Sequence, residues 1–372
     1  MKNNPVQIIK LFGIPIELDP SWFLVFILIT FALAVGYFPL EFHQWSKLQY
    51  WSVAAVTSIL FFTSVILHEL GHSVVAQKYK LRVKRITLYI FGGSSEITSE
   101  PSGPLAEFVI AIIGPLTSIA LAAFFYGLQL LFRGYPPVYA IAKYLALING
   151  ILAIFNLIPG FPLDGGRVFR AIVWGITRNL RRATEIAALL GHAISFVFIL
   201  LGVWRLFQGD WTNGLWISFT GWFLETAVVG QVQQQRIHLL LAGHTVDQVM
   251  NRDCAMATSD LTVHELVDQY FIDKGKRCLV VVRDDQPAGF LTLHNIRNIP
   301  RDRWDTTRVV DVMIPIDQVI LTAPKVELAH ALEQMGADGV NQMPVMENGH
   351  IEGMLSREDI TNYLHLLQKL EQ

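Results

Sequence analysis

Charge is what this sequence has least of. Only 16% of its 372 residues are Asp, Glu, Lys or Arg, and 52% are hydrophobic, a balance foreign to ordinary soluble domains. There is no positive excess either. A net charge of -2 gives no electrostatic footprint for nucleic acid, so none is expected as a partner. Cysteine is nearly absent: Cys254 and Cys278 are the only two, and neither sits in a metal-binding spacing. One disulfide is formally available, but two thiols in a cytosolic domain are the simpler reading.

The charge that exists is unevenly placed. Long uncharged runs fill the first 230 residues, and a mixed sequence follows. Two parts are expected, a membrane domain over 1–235 and a soluble domain over 236–372. Six runs are long enough to cross a bilayer as helices: 20–40, 48–76, 108–132, 144–163, 186–204 and about 211–230, the last carrying Glu225. Ala32, Leu33 and Ala34 mimic a signal-peptide cleavage site. The apolar run continues past them, however, and Glu17 and Asp19 precede it, so the first span is read as retained. With the N-terminus in the cytoplasm, the inner segments hold twelve Lys and Arg and the outer ones four, as the positive-inside rule requires. The soluble domain is then cytoplasmic too. Between the second and third spans, Ile86 to Ile97, broken at Gly92 and Gly93, reads as a β-hairpin.

The most informative stretch is His68-Glu69-Leu70-Gly71-His72, at the end of the 20-residue uncharged run from Leu48 to Leu67. Residues four apart share a helix face, so His68 and His72 can point two imidazole nitrogens at one metal ion. Glu69, one step round, can reach a water on that ion. This is the H-E-x-x-H pattern of two zinc ligands and a general base. Ionisable groups on a membrane span are costly and mark function.

A catalytic zinc takes three protein ligands and keeps one open position. The acids near the cytoplasmic face are Glu96, Glu100, Glu107, Asp164 and Glu185. Depth favours Asp164, which follows Lys143 by 21 residues, as His68 follows Lys47 by 21. Pro159, Gly160 and Pro162 make that path irregular, and irregular backbone at membrane depth is tolerated only beside a cavity or water. On spacing alone, Asp164 serves equally well as a helix N-cap before Gly165 and Gly166.

The paired motif, H-E-L-G-H in one span and N-x-x-P-x-x-P-L-D-G-G from Asn156 to Gly166 in a later one, resembles the site-2 protease family of intramembrane zinc metalloproteases. The likeness covers roughly residues 10–230. It implies one Zn²⁺ per chain on His68, His72 and Asp164, with Glu69 as catalytic acid and base. Asn156 would position the substrate or its oxyanion. The hairpin with Gly92 and Gly93 would bind an unwound transmembrane substrate protein by strand addition.

From about His244 the chain repeats itself. Thr245 to Met250 is echoed by Val309 to Met313, and Gly289 to Asn295 by Gly353 to Asp359, at offsets of 63 and 64 residues. These repeats resemble a tandem pair of CBS domains, about 244–300 and 306–368. The likeness implies an adenine nucleotide (ATP, ADP or AMP) on Thr292 with Asn295 and on Ser356 with Asp359. It also admits homodimerisation through the pair, and a ligand-free packing module fits the residues equally well. His264 and Glu265 repeat the metal motif only superficially, because Asp268 stands where the second histidine would be; Thr262 and Glu265 read as a capping box.

The fold expected is a polytopic α-helical membrane protein, about six transmembrane helices with a small membrane-associated β-hairpin, plus a cytosolic α/β tandem CBS domain. A CBS-regulated transporter and a non-catalytic zinc-binding membrane protein are the competing readings. A transporter gives no reason for His-Glu-x-x-His beside an aspartate-bearing loop, and a scaffold has no need of Glu69.

Overall fold

The computed structural model describes residues 6–90, 92–97, 101–252, 255–273, 278–283, 286–297, 299–348 and 350–370. Phe91, Glu100 and Cys254 lie outside them, as do the side chains of Cys278 and Thr292. The chain divides into two compact units, Met1–Gln233 and Gln234–Gln372.

The first unit opens with β1 (Val6–Leu11) and β2 (Ile14–Leu18). Helix α1 (Pro20–Ala32) starts on Asp19, whose carboxylate accepts the Ser21 N–H at 2.8 Å. A π-helical turn, Leu33–Tyr37, leads into the short α2 (Phe38–Glu41). Helix α3 (Lys47–Lys78) begins on a capping box between Ser46 and Gln49. There follow β3 (Val83–Tyr89), β4 (Gly92–Ile97), α4 (Pro104–Leu131), α5 (Pro136–Asn156), α6 (Asp164–Thr177), α7 (Leu180–Phe207) and α8 (Trp211–Leu241).

Among the described residues, Pro20–Glu41, α3, α4, α5 and α7 are long and apolar enough to cross a membrane. Their number makes this an integral membrane protein. Helix α8 covers the sixth expected span and is long enough, but Glu225 and several Thr, Ser and Gly residues dilute its apolar content. Two further differences matter. The fourth span stops being helical at Asn156 rather than continuing to residue 163, and the expected inner loop after it contains the separate helix α6. The expected hairpin is also only half of its sheet. The order is β1-β2-β3-β4, with β2 and β3 parallel and the other pairs antiparallel.

One face of this sheet packs onto the C-terminal half of α3. Ile14, Ile16, Val83 and Ile86 meet Leu70 and Ala76, together with Ile110 of α4. Leu18 and Leu88 meet Phe62 and Val65. Between the helices, buried polar groups find one another. Thr30 Oγ1 donates to Ser58 Oγ at 2.9 Å, and Asn149 Nδ2 donates to Leu145 O at 2.8 Å and Ser64 Oγ at 3.3 Å. Lipid offers no alternative partner to such groups.

The second unit takes in residues 234–241 of α8. It continues with β5 (Met256–Thr258), α9 (Val263–Leu266), β6 (Cys278–Arg283), β7 (Gln286–Thr292), α10 (Leu293–Arg297), α11 (Val309–Val312) and β8 (Ile314–Pro315). The second repeat supplies α12 (Leu328–Asp338), β9 (Gln342–Glu347), β10 (His350–Ser356) and α13 (Arg357–Leu370). Thr262 and Glu265 form the capping box that opens α9. The Thr262 backbone N–H and hydroxyl hold the Glu265 carboxyl below its ordinary range.

The two repeats exchange their leading segments. Val246 and Met250, at the start of the first repeat, are buried with Leu328, Met335, Val345 and Leu355 of the second. Val309 and Met313, at the start of the second, pack with Leu279, Val281 and Leu291 of the first. Equivalent glycines mark the two crossings: a Cβ at Gly353 would meet Met250 Sδ at 3.0 Å, and one at Gly289 would meet Met313 Sδ at 2.6 Å. Each half therefore completes its core with the other's segment. Met250→Ala is expected to cost about 2–5 kcal/mol, the range for truncating a core methionine. Hydrogen exchange should show lost protection at β9 and β10 while β6 and β7 retain theirs.

Candidate metal centre

Helix α3 places His68 and His72 one turn apart, both buried. Helix α6 begins with Asp164, and its first turn sits directly on the preceding loop. A Cβ at Gly165 would strike the Leu157 carbonyl, and one at Gly166 would come within 2.5 Å of Phe161 N. Only glycine permits that approach, and it delivers the Asp164 carboxylate to the histidines. Asp164 Oδ2 stands 3.1 Å from His68 Nε2 and 3.2 Å from His72 Nε2, and the two Nε2 atoms are 3.3 Å apart.

The other ring nitrogens define the tautomers. His72 Nδ1 lies 2.6 Å from the Ile110 carbonyl, which can only accept, so Nδ1 carries a proton, and in the neutral ring Nε2 keeps the lone pair that a metal would use. His68 Nδ1 lies 2.9 Å from the Ser118 hydroxyl, which accepts in the matching tautomer. With both rings neutral, as metal ligands must be, three electron-rich atoms face one another in a buried site, an arrangement that a cation between them makes favourable. Ligands placed tetrahedrally around zinc at about 2.0–2.1 Å are about 3.3–3.4 Å apart. The donor set fits zinc in both chemistry and spacing. Carbonyl and hydroxyl partners on the distal nitrogens are the usual outer shell of such ligands.

The fourth wall is backbone. A Cβ at Gly114 of α4 would press into His72 Nε2 and come within 2.7 Å of His68 Nε2. Gly114 is where α4 lets a neighbouring helix approach closely, and what approaches is the histidine pair. Ile110 and Ser118, one turn either side, carried no sequence signal. Glu69 follows His68 on α3 and packs under β4, where a Cβ at Gly93 would meet Glu69 Cγ at 2.6 Å and Val65 Cγ1 at 3.3 Å. Asn156 is the half-buried last residue of α5.

The remaining acids are engaged elsewhere. Glu96 accepts from Arg85 Nε at 2.7 Å, Glu107 from Arg170 Nε at 2.6 Å, and Glu185 from Arg181 Nε at 3.2 Å. His192 and Glu225 bond each other across α7 and α8, 2.7 Å apart. In the second unit Ser356 and Asp359 cap α13 reciprocally: the Ser356 hydroxyl donates to Asp359 Oδ2 at 2.5 Å, and Asp359 N–H donates back to Ser356 Oγ at 3.1 Å. Thr292 ends β7 and Asn295 lies on α10.

A His-Glu-x-x-His helix closed by an aspartate from a later helix is the donor set of a zinc peptidase, here on apolar spans. Known proteins narrow the class. The family model described as Peptidase family M50 matches residues 56–144 and 135–200, and the CBS domain model matches 246–302 and 309–366. The Synechocystis protein sll0528, named as a zinc metalloprotease, is 32% identical over 97% of this chain and 96% of its own length. The zinc metalloprotease MJ0392 of Methanocaldococcus jannaschii is 26% identical over 100% of this chain and 99% of its own. The solved site-2 protease from the same organism is 31% identical, covering 61% of this chain and 94% of that one with a TM-score of 0.42. The chain belongs to peptidase family M50, the site-2 protease family, and it carries two C-terminal CBS domains. It is a zinc metalloprotease of that family.

Metal analysis of purified protein should find about one zinc per chain. Asp164→Ala removes a donor, and Gly114→Ala puts a methyl group against the ring nitrogens. Each should lose most of the metal while the helical far-UV spectrum is retained; full zinc in either variant would contradict the geometry.

Proposed function

We propose that this chain hydrolyses a peptide bond within or near the transmembrane segment of membrane-protein substrates. The observation that carries this reading is the position of Glu69, next to a ligand histidine and directly beneath β4. Strand β4 is the outer strand of its sheet, and its far edge pairs with no described strand. An unwound substrate segment can add to that edge through backbone hydrogen bonds, passing over Glu69. A helical span hides its peptide bonds, so local unwinding must precede cleavage. Gly93 leaves no side chain between the strand backbone and α3.

When bound, zinc supplies Lewis acidity, polarising the scissile carbonyl and lowering the pKa of a water to about 7. Glu69 takes a proton from the attacking water and returns it to the leaving amine as the C–N bond breaks. Asn156, at the α5 terminus where the chain turns toward Asp164, donates its amide N–H to the oxyanion that develops as the C–O bond forms. His68, His72 and Asp164 hold the metal and stay fixed. The N-terminus and the CBS pair face the cytoplasm in this reading, which rests on the twelve-to-four distribution of Lys and Arg.

Glu69→Gln separates an enzyme from a zinc scaffold or a transporter. The variant should keep its zinc and lose about 10²–10⁴-fold in cleavage of a single-span membrane protein in detergent. A chelator should abolish cleavage by the parent. Unchanged turnover in Glu69→Gln would remove the assigned base.

Regulation by an adenine nucleotide at the CBS pair belongs to the same proposal. Ser356 and Asp359 sit at the N-terminus of α13, where a hydroxyl and exposed N–H groups favour a phosphate. They now satisfy each other, so a nucleotide using them must replace those bonds; Thr292 and Asn295 are the matching positions in the first repeat. A nucleotide shifts activity only by its difference in affinity for two states. Binding of ATP, ADP or AMP should weaken in Asp359→Ala, and the cleavage rate should depend on nucleotide. No binding at millimolar concentration would contradict it.

A further inference from the structure

The third ligand depends on a short helix that lacks an ordinary anchor. Leu163, at the N-cap of α6, makes no side-chain capping bond. Asp164 extends from the first turn, so its carboxylate lies about 6 Å from the helix axis, and a 10° rotation of α6 moves it by about 1 Å. Metal–ligand distances tolerate about 0.2 Å. Something must therefore fix the rotational setting of α6 to within a few degrees.

Arg170 lies six residues after Asp164 and is only 5% exposed. Its Nε donates to Glu107 Oε1 at 2.6 Å, a second guanidinium nitrogen contacts the same oxygen, and Glu107 is 0% exposed. The guanidinium carbon also stands 5.4 Å from the ring centroid of Phe161, in the loop that leads to Asp164. Glu107 is on α4, three residues before Ile110, whose carbonyl orients His72, and seven before Gly114, which walls the site. One guanidinium thus joins the helix that starts with the aspartate ligand, the loop before it, and the helix that sets the histidines. A fully buried carboxylate–guanidinium pair is costly to desolvate, and replacing it with apolar residues often stabilises a protein. Stability alone does not explain its place here.

We propose that Glu107 and Arg170 are positioning residues for the metal centre: the ion pair fixes the rotation of α6 and so holds Asp164 on the zinc. The inference rests on the zinc-peptidase reading of the site. Glu107→Gln keeps the size of the acid and removes its charge; Arg170→Lys keeps the charge and loses the fork. The test is zinc affinity of full-length protein in detergent by chelator competition, alongside the d–d spectrum of the cobalt-substituted protein. Loss of a partner that orients a ligand typically weakens metal binding about 10–100-fold, and that loss is expected in Glu107→Gln, with a changed cobalt spectrum. The far-UV spectrum and elution volume should be those of the parent. Arg170→Lys should give a smaller loss and serves as the decisive variant if Glu107→Gln does not fold. Glu185→Gln, at the exposed pair with Arg181, should bind zinc as the parent does. Affinity within two-fold of the parent and an unchanged cobalt spectrum, in a folded Glu107→Gln or Arg170→Lys, would overturn the proposal. A parent that binds no zinc would overturn the underlying reading and this inference with it.

Discussion

Electrostatic repulsion among three donors organises the first unit. His68 Nε2, His72 Nε2 and Asp164 Oδ2 converge to 3.1–3.3 Å in a buried site, and with both rings neutral a cation makes that convergence favourable. Everything near them keeps the donors from relaxing apart. The Ile110 carbonyl and the Ser118 hydroxyl fix the two rings, and glycines at 165 and 166 seat the first turn of α6 against the loop. The backbone at Gly114 closes one side. Preorganisation of this kind concentrates charge stabilisation where a reaction needs it, because the surroundings have little freedom left to reorganise.

The same logic explains why reactive groups sit where spans give way to irregular chain. A hydrolytic centre needs water, and a bilayer core has none. Helix α5 ends at Asn156, the loop crosses Pro159 and Pro162, and α6 restarts at Asp164. The four-stranded sheet covers the corresponding end of α3 and brings an edge strand over Glu69. His68, His72, Asp164, Glu69 and the outer edge of β4 thus meet at one level of the first unit.

Much of this was legible in the sequence because it depends on local period and hydropathy. The i, i+4 spacing of His68 and His72 needs only a helix. The residue count from Lys47 and Lys143 brought Asp164 to a similar depth, although the family likeness was needed to prefer a ligand over a helix cap. What stayed hidden depends on neighbours far along the chain. Gly114 could be read as a close approach, but nothing local says that imidazoles approach it. Ile110 and Ser118 look like ordinary span residues. Strands β1 and β2 lie in a short mixed segment whose role becomes visible only when Ile16 pairs beside Ile86. The repeat offsets exposed two CBS copies, but not the exchange of Met250 and Met313 between their cores.

A metal centre is defined by the atoms around the metal. X-ray absorption at the zinc edge of the purified, zinc-loaded protein reads those atoms directly. It should show a four-coordinate first shell of nitrogen and oxygen at about 2.0–2.1 Å, with outer-shell scattering from two imidazole rings. A sulfur-containing shell, a six-oxygen shell, or scattering from no imidazole would contradict a centre built from His68, His72 and Asp164.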